Sequence, residues 1–460
     1  MKSTYKFLLA STLMGASTVG AMAQASYSGY FLENYTHRYE LNPALVDMSG
    51  RKMFVAMPAL GNLNVGFQGN LHLTDVLYNR NGQTVLFTNP NVSAAEALKH
   101  IGNREKVGVN VEMDILAVGF EALGGKNVVT IGAVADANVM VPGSMFRFAK
   151  EGVTNQTYDL SNVRALAEGY AKLQLNHQRD LGQYLPGLKA GAAFKMLFGI
   201  GSMDANLKDT YLSLQEDAWR VQTNGTVRVN MGNMYYKTKY SDVTDRNYVD
   251  GIELDGAGVK GFGIGFDLGA TYDWQDFQFS LALLDLGFIS WSGTQTATTN
   301  GTRYVNTNDY TFGVTDEQYK DTWNDELKPA LYNLYQLQDM GETGARTRSL
   351  RTTLNWGVQY ELPYYRRLHF GLVNSTRFNG PFTATDFRFS ANVRPVDCFS
   401  ASANFTAGTY GVGFGWLANV NVKGFNFFIG MDRTIGKLAK QGVPLSSNGS
   451  VNIGMNFPFM

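Results

Sequence analysis

Five stretches of the chain alternate apolar with polar or small residues, and none of the five apolar rows contains a charge. In the first, Leu63, Val65, Phe67, Gly69, Leu71 and Leu73 interleave with Asn64, Gly66, Gln68, Asn70 and His72. The second row runs Val107, Val109, Val111, Met113, Ile115, Ala117, and the third runs from Val129 through Ile131 and Ala135 to Val141. The fourth is Phe262, Ile264, Phe266, Leu268, Ala270, Tyr272, Trp274, and the fifth runs from Tyr410 through Phe414 to Val420. A period of two identifies β-strands, because successive side chains leave a strand on opposite faces. It does not say which face meets water. A soluble sandwich turns the apolar row inward, whereas a transmembrane barrel turns it toward lipid.

The absence of charge favours the barrel over a secreted sandwich or propeller. A Lys or Arg on the lipid face of a barrel costs roughly 2–4 kcal/mol at the bilayer midplane, while the interior tolerates charge. Here the charges sit on the opposite rows, at Glu112, Asp114, Asp136, Asp267 and Asp273. Trp274 and Trp291 near strand ends suit an interfacial girdle, and Val451, Ile453, Met455, Phe457 and Phe459 form a last apolar row. Lys2 and Lys6, an apolar run from Phe7 to Met14 and the small-residue site Ala21-Met22-Ala23 read as an export signal over residues 1–23. The expectation is an all-β chain: a transmembrane antiparallel β-barrel in a bacterial outer membrane, with lipid as its surroundings. The formal net charge is zero, so no basic excess is available for nucleic acid.

Fifteen candidate strands can be marked between residues 62 and 459, including one at 211–231. Closed single-chain barrels have even numbers. Either Met53 to Met57 supplies a sixteenth strand or one candidate is false, so 14 to 16 strands are expected. Counting back from the C-terminus puts 292–348 and 434–449 outside but leaves the long segments 75–105 and 142–162 in the periplasm. Within 292–348, Thr315 to Gln318 reads as a capping box, and Trp323, Leu327, Leu331 and Leu334 recur at helical spacing with Pro329 starting a second helix.

Asn42-Pro43-Ala44 within Leu41 to Gly50 resembles the N-terminal element of FadL-type fatty acid transporters and of Bacteroidota barrels associated with type IX secretion. Gly187 to Ser202 and Leu281 to Trp291 resemble segments of a Bacteroidota outer-membrane barrel family without assigned function. The resemblance implies that residues 24–52 form a hatch inside a barrel of residues 53–460, with Asn42, Pro43 and Ala44 in the hatch. It also implies either passive transport of a hydrophobic small molecule, through a lateral break in the wall, or anchoring and shuttling of an exported protein partner. Asn-Pro is turn chemistry anywhere, so the residues alone leave the hatch open.

Chemistry gives little. His37, His72, His100, His177 and His369 show no pair at metal-ligand spacing, and no nucleophile and base converge in the sequence. No cofactor, no metal and no enzymatic activity are expected. Asp242, Asp245, Asp250, Glu253 and Asp255 crowd one loop without the spacing of an EF-hand. Asn64, Gln68, Glu112, Asp114, Asp136, Lys195 and Asp267 are the polar residues expected to face the lumen. Lys189 and Lys195, if inward, offer an anion site near Glu112 or Asp136, or take part in an interior salt-bridge network.

Overall fold

The computed structural model describes residues 26–48, 51–56, 61–152, 155–215, 218–241, 246–256, 258–306, 336–435 and 448–459. Its centre is a closed antiparallel barrel of 14 strands, of the outer-membrane type. The strands are β1 (Met53–Ala56 continued by Asn62–Gly69), β2 (Arg104–Ala122), β3 (Gly125–Pro142), β4 (Val163–Asp180), β5 (Leu188–Leu207), β6 (Gly261–Trp274) and β7 (Phe277–Trp291). They continue with β8 (Thr353–Glu361), β9 (Leu368–Arg377), β10 (Ala384–Val396), β11 (Phe399–Gly408), β12 (Gly411–Val422), β13 (Phe425–Met431) and β14 (Gly449–Phe459). Closure comes from β14 pairing with both halves of β1, Met53 opposite Phe459 and Leu63 opposite Ile453.

The alternating rows take the orientation that charge dictates. Phe266 is 45% exposed on the outer surface while its neighbour Asp267 is 1% exposed. Ile131, Leu175, Phe389, Phe414 and Ile429 join the outward belt, and Asn64, Thr130, Asp136, Asn419 and Asn452 are buried on the inner face. Two rows depart from the expectation. A bulge between Asp114 and Leu116 inserts Ile115 as an extra residue and reverses the phase of β2. Ala117 is therefore buried inside rather than continuing the lipid-facing row. Trp291 is also fully buried, against Gly199 and Gly261, so it is no part of a girdle, whereas Trp274 is exposed.

The even count arises by the second expected route, one candidate being false. Met53–Ala56 is the lower half of β1 and adds no strand of its own. The stretch 211–231 is the false barrel strand: Tyr211–Leu214 and Ala218–Met231 belong to a sheet that continues beyond the barrel mouth. There Ala218–Met231 pairs with the outer end of β5 and with Gln295–Asn306. Its exposed row carries Arg220, Gln222 and Asn224, which lipid would not accept. Removing it corrects the sidedness of the first half, placing the segments 75–105 and 142–162 at the same end as all the other long connections. The opposite end carries the tight turns, such as Leu123-Gly124, Gln275-Asp276 and Lys423-Gly424, the arrangement of periplasmic turns. The capping box at Thr315 and the helical spacing from Trp323 to Leu334 lie outside the described residues; the flanks of that loop, Gln295–Asn306 and Gln338–Glu342, are strands.

Phe266→Arg should prevent assembly, since it puts a charge at a cost of roughly 2–4 kcal/mol on the lipid face. Gln222→Arg should be tolerated, because Gln222 lies on the exposed row of the outer sheet. The folded fraction seen as heat-modifiable mobility on gels measures both; equal tolerance would reverse the assigned faces.

Candidate functional site: a plugged lumen

Residues 26–48 run through the barrel interior as two short 3-10 turns, Tyr27–Gly29 and Thr36–Glu40, joined by irregular chain. Such a segment satisfies few of its own backbone groups, and most of it is buried. The wall supplies partners instead. Asp432 accepts from the Ser26 hydroxyl at 3.0 Å and from the backbone N–H groups of Tyr27 and Ser28 at 2.9 and 2.7 Å. Inward asparagines donate to backbone carbonyls: Asn355 to Leu41, Asn176 to Pro43, and Asn419 and Asn426 both to Asn34. Tyr27 donates to Asn355, Tyr30 to Ser280, and Tyr39 shares a hydrogen bond with Thr130.

The Asn42-Pro43-Ala44 element is seated by absence of side chain. Asn42 Oδ1 accepts from the Ala44 N–H at 2.9 Å, closing an Asx turn, and Asn42 Nδ2 donates to the carbonyls of Ala270 and Leu281. Gly191 on β5 pairs directly with Gly269 on β6, and the two leave a notch. A methyl group on Gly191 would overlap the Pro43 carbonyl, and one on Gly269 would overlap the Asn42 side chain. Phe31 rests in the same way over Gly357 and Gly371.

Charged residues of the inner face are paired. Lys195 sits 2.8 Å from Asp267 and 2.6 Å from Asp285, away from Glu112 and Asp136. Glu112 pairs with Lys172, and Asp136 with Arg351 at 2.6 Å. Asp386 holds both Arg388, at 2.9 Å, and Arg433, at 3.0 Å. Arg377 has no carboxylate within salt-bridge distance among the described residues. Asn64 is fully buried, and Gln68 is partly buried. Of the acidic loop, Asp250 and Glu253 are matched by Lys239 and Lys237 on the facing strand, both at 2.8 Å; Asp242 and Asp245 lie outside the described residues.

One cluster was not legible from spacing. His37 Nδ1 lies 3.3 Å from Glu40 Oε1 and 3.3 Å from Asp114 Oδ2, all three side chains being buried. Burial pulls the His37 imidazole down, but the facing carboxyl groups of Asp114 and Glu40 outweigh this and lift it to about 9. Burial and the neighbouring Asp114 charge push the Glu40 carboxyl well above the usual carboxylate range. Only His37 and Glu40 are close in sequence; Asp114 joins them because β2 passes beside the first strand.

Cavities border the segment at both ends. One of about 630 Å³ opens at the short-turn end and is lined by Arg38, Asp47, Lys126, Asp180 and Lys189 among others. A smaller one of about 60 Å³ lies toward the other end, between Tyr27, Arg377, Arg388, Arg433 and the stretches Gly66-Phe67 and Gly108-Val109. The second abuts a defect in the wall. β1 and β2 pair at Asn62–Asp114 and again at Gln68–Gly108 and Gly69–Val107, in one register, yet no ladder pair joins 63–67 to 109–113 among the described residues. The seam is a local splaying rather than a slip, because the register is the same above and below it.

No curated protein matches the chain. Among solved structures, the toluene transporter TbuX of Ralstonia pickettii aligns over 90% of this chain and 91% of its own, at 9% identity and a TM-score of 0.41. The toluene transporter TodX of Pseudomonas putida covers 95% and 96%, at 9% identity and 0.39. A FadL homologue from Pseudomonas aeruginosa covers 95% and 98%, at 8% identity and 0.37. Similarity at these values carries no information on what passes through the barrel. A family model does match, over residues 43–432, which take in most of the barrel, and the chain belongs to that family, described as a family of unknown function (DUF5723).

Proposed function

We propose that the chain is a passive outer-membrane transporter for hydrophobic small molecules, with residues 24–52 as a hatch and the β1–β2 seam as a lateral exit to lipid. The observation that carries the reading is the unpaired stretch of wall at 63–67 and 109–113 with a cavity directly behind it. Unpaired backbone in a membrane wall is costly unless another group or a changing pairing satisfies it, so a splayed seam marks a place where the wall opens. The cavity has two characters. Phe67 and Val109 are apolar, while Arg377, Arg388 and Arg433 share the rest of the lining with Asp136, Asp386 and Asp432.

Anchoring or shuttling of an exported protein is the second reading, and the sheet beyond the barrel mouth favours it. Tyr211, Tyr235, Tyr240, Tyr304 and Met340 are exposed there, a surface with the aromatic character of a binding face. The absence of converging catalytic groups in the sequence leaves an enzyme as the weakest reading.

The seam is tested by a disulfide between Val65→Cys and Val111→Cys in a Cys398→Ser background. Uptake of a fluorescent alkyl carboxylate into bilayers holding the oxidised protein should fall at least tenfold and return on reduction. Uptake indifferent to the cross-link would remove the lateral route. Gly191→Leu tests the hatch: overpacking the notch under Pro43 by about 1–3 kcal/mol should loosen the segment and raise single-channel conductance several-fold. A barrel as closed as the wild type would mean that the segment is a permanent filling.

A further inference from the structure

The cluster of His37, Glu40 and Asp114 is built of metal-ligating residue types and is sealed from solvent, the three side chains being 0%, 3% and 0% exposed. One donor atom from each lies within 4.8 Å of the others. We infer that these three residues bind a divalent transition-metal cation of the zinc class, which fastens the N-terminal segment to the barrel wall.

A plain hydrogen-bonded cluster accounts for one of the two contacts of His37, its 3.3 Å hydrogen bond with Glu40. A single Nδ1–H can point at one acceptor, yet Nδ1 is 3.3 Å from a carboxylate oxygen of both Glu40 and Asp114. Both separations lie at the long end of N–H···O distances. They match the spacing that a tetrahedral cation imposes: bonds of about 2.0–2.1 Å to nitrogen and oxygen set neighbouring donors about 3.3–3.4 Å apart. One imidazole and two carboxylates are a donor set that zinc accepts.

The second observation concerns Asp114. Its side chain is fully buried, and neither carboxylate oxygen accepts a well-aligned hydrogen bond. Its oxygens are met by His37 Nδ1 at 3.3 Å and by the Lys172 ammonium at 3.8 Å, so a closer partner is called for. Lys172 is not that partner: its ammonium is engaged by Glu112 and stands 3.8 Å from Asp114 Oδ1. Glu40 is oriented for the task, since Asn62 Nδ2 donates to its other oxygen at 2.7 Å and leaves Oε1 aimed at His37.

The position gives the site a purpose. Two ligands lie on the internal segment, and the third lies on β2 opposite Asn62, where the splayed seam begins. A cation there ties the segment to the lower edge of the seam, whatever the barrel carries.

The test is metal analysis of untagged full-length protein extracted in mild detergent, equilibrated with zinc and dialysed. The expected result is about one equivalent of zinc per chain, a higher thermal midpoint with zinc than with chelator, and visible absorption of tetrahedral type on replacement by Co²⁺. Asp114→Asn and Glu40→Gln keep shape and remove charge, and each should weaken binding by about 10–100-fold, the range that disturbing a ligand's surroundings already produces. His100→Ala, which removes a histidine outside the cluster, should bind as wild type. Wild-type protein that retains less than a tenth of an equivalent, or zinc retained undiminished by both cluster variants, would overturn the proposal. If a variant fails to assemble, the Co²⁺ titration of the wild type still decides it.

Discussion

An irregular backbone buried inside a protein must find a hydrogen-bond partner for each of its polar groups, and much of this structure follows from that demand. Residues 26–48 lack the ladders that would satisfy them internally, so the inner face of the barrel carries amides and hydroxyls at the required heights. Asn355, Asn176, Asn419 and Asn426 serve the carbonyls of the segment, and Asp432 serves its first N–H groups. The polar rows are therefore a complement to one particular chain path rather than a generic wet lining.

The same rows have to manage volume. Gly191 and Gly269 face each other across two strands because Asn42 and Pro43 occupy the space that side chains would fill. Charge is handled by local neutralisation, as where Lys195 is held between Asp267 and Asp285. A buried pair of this kind contributes little net stability but fixes geometry, because removing one partner strands the other.

The fold was legible in the sequence because lipid enforces a rule on every strand: no charge on the outward row. The rule also held the information that was missed. Arg220, Gln222 and Asn224 on the outer row of 211–231 mark a strand outside the membrane, although its alternation matches that of barrel strands. Ile115 shows a different limit, since a bulge shifts phase without changing composition. The site was less legible. His37 and Glu40 are three positions apart on a short turn, but nothing local names Asp114 as their neighbour, and that juxtaposition exists only once β2 has passed beside β1.

The bonds from Asp432 to Ser26, Tyr27 and Ser28 join residues more than 400 positions apart, the hydroxyl contact spanning 406. The first backbone N–H groups of the described chain thus acquire their partner only when the penultimate strand is in place. Loop-closure entropy makes such contacts late events in folding. Barrel closure and filling of the lumen are then coupled in time: a chain stalled before β13 would present an open sheet and an unsatisfied N-terminal segment together, the state in which assembly factors and proteases compete for it.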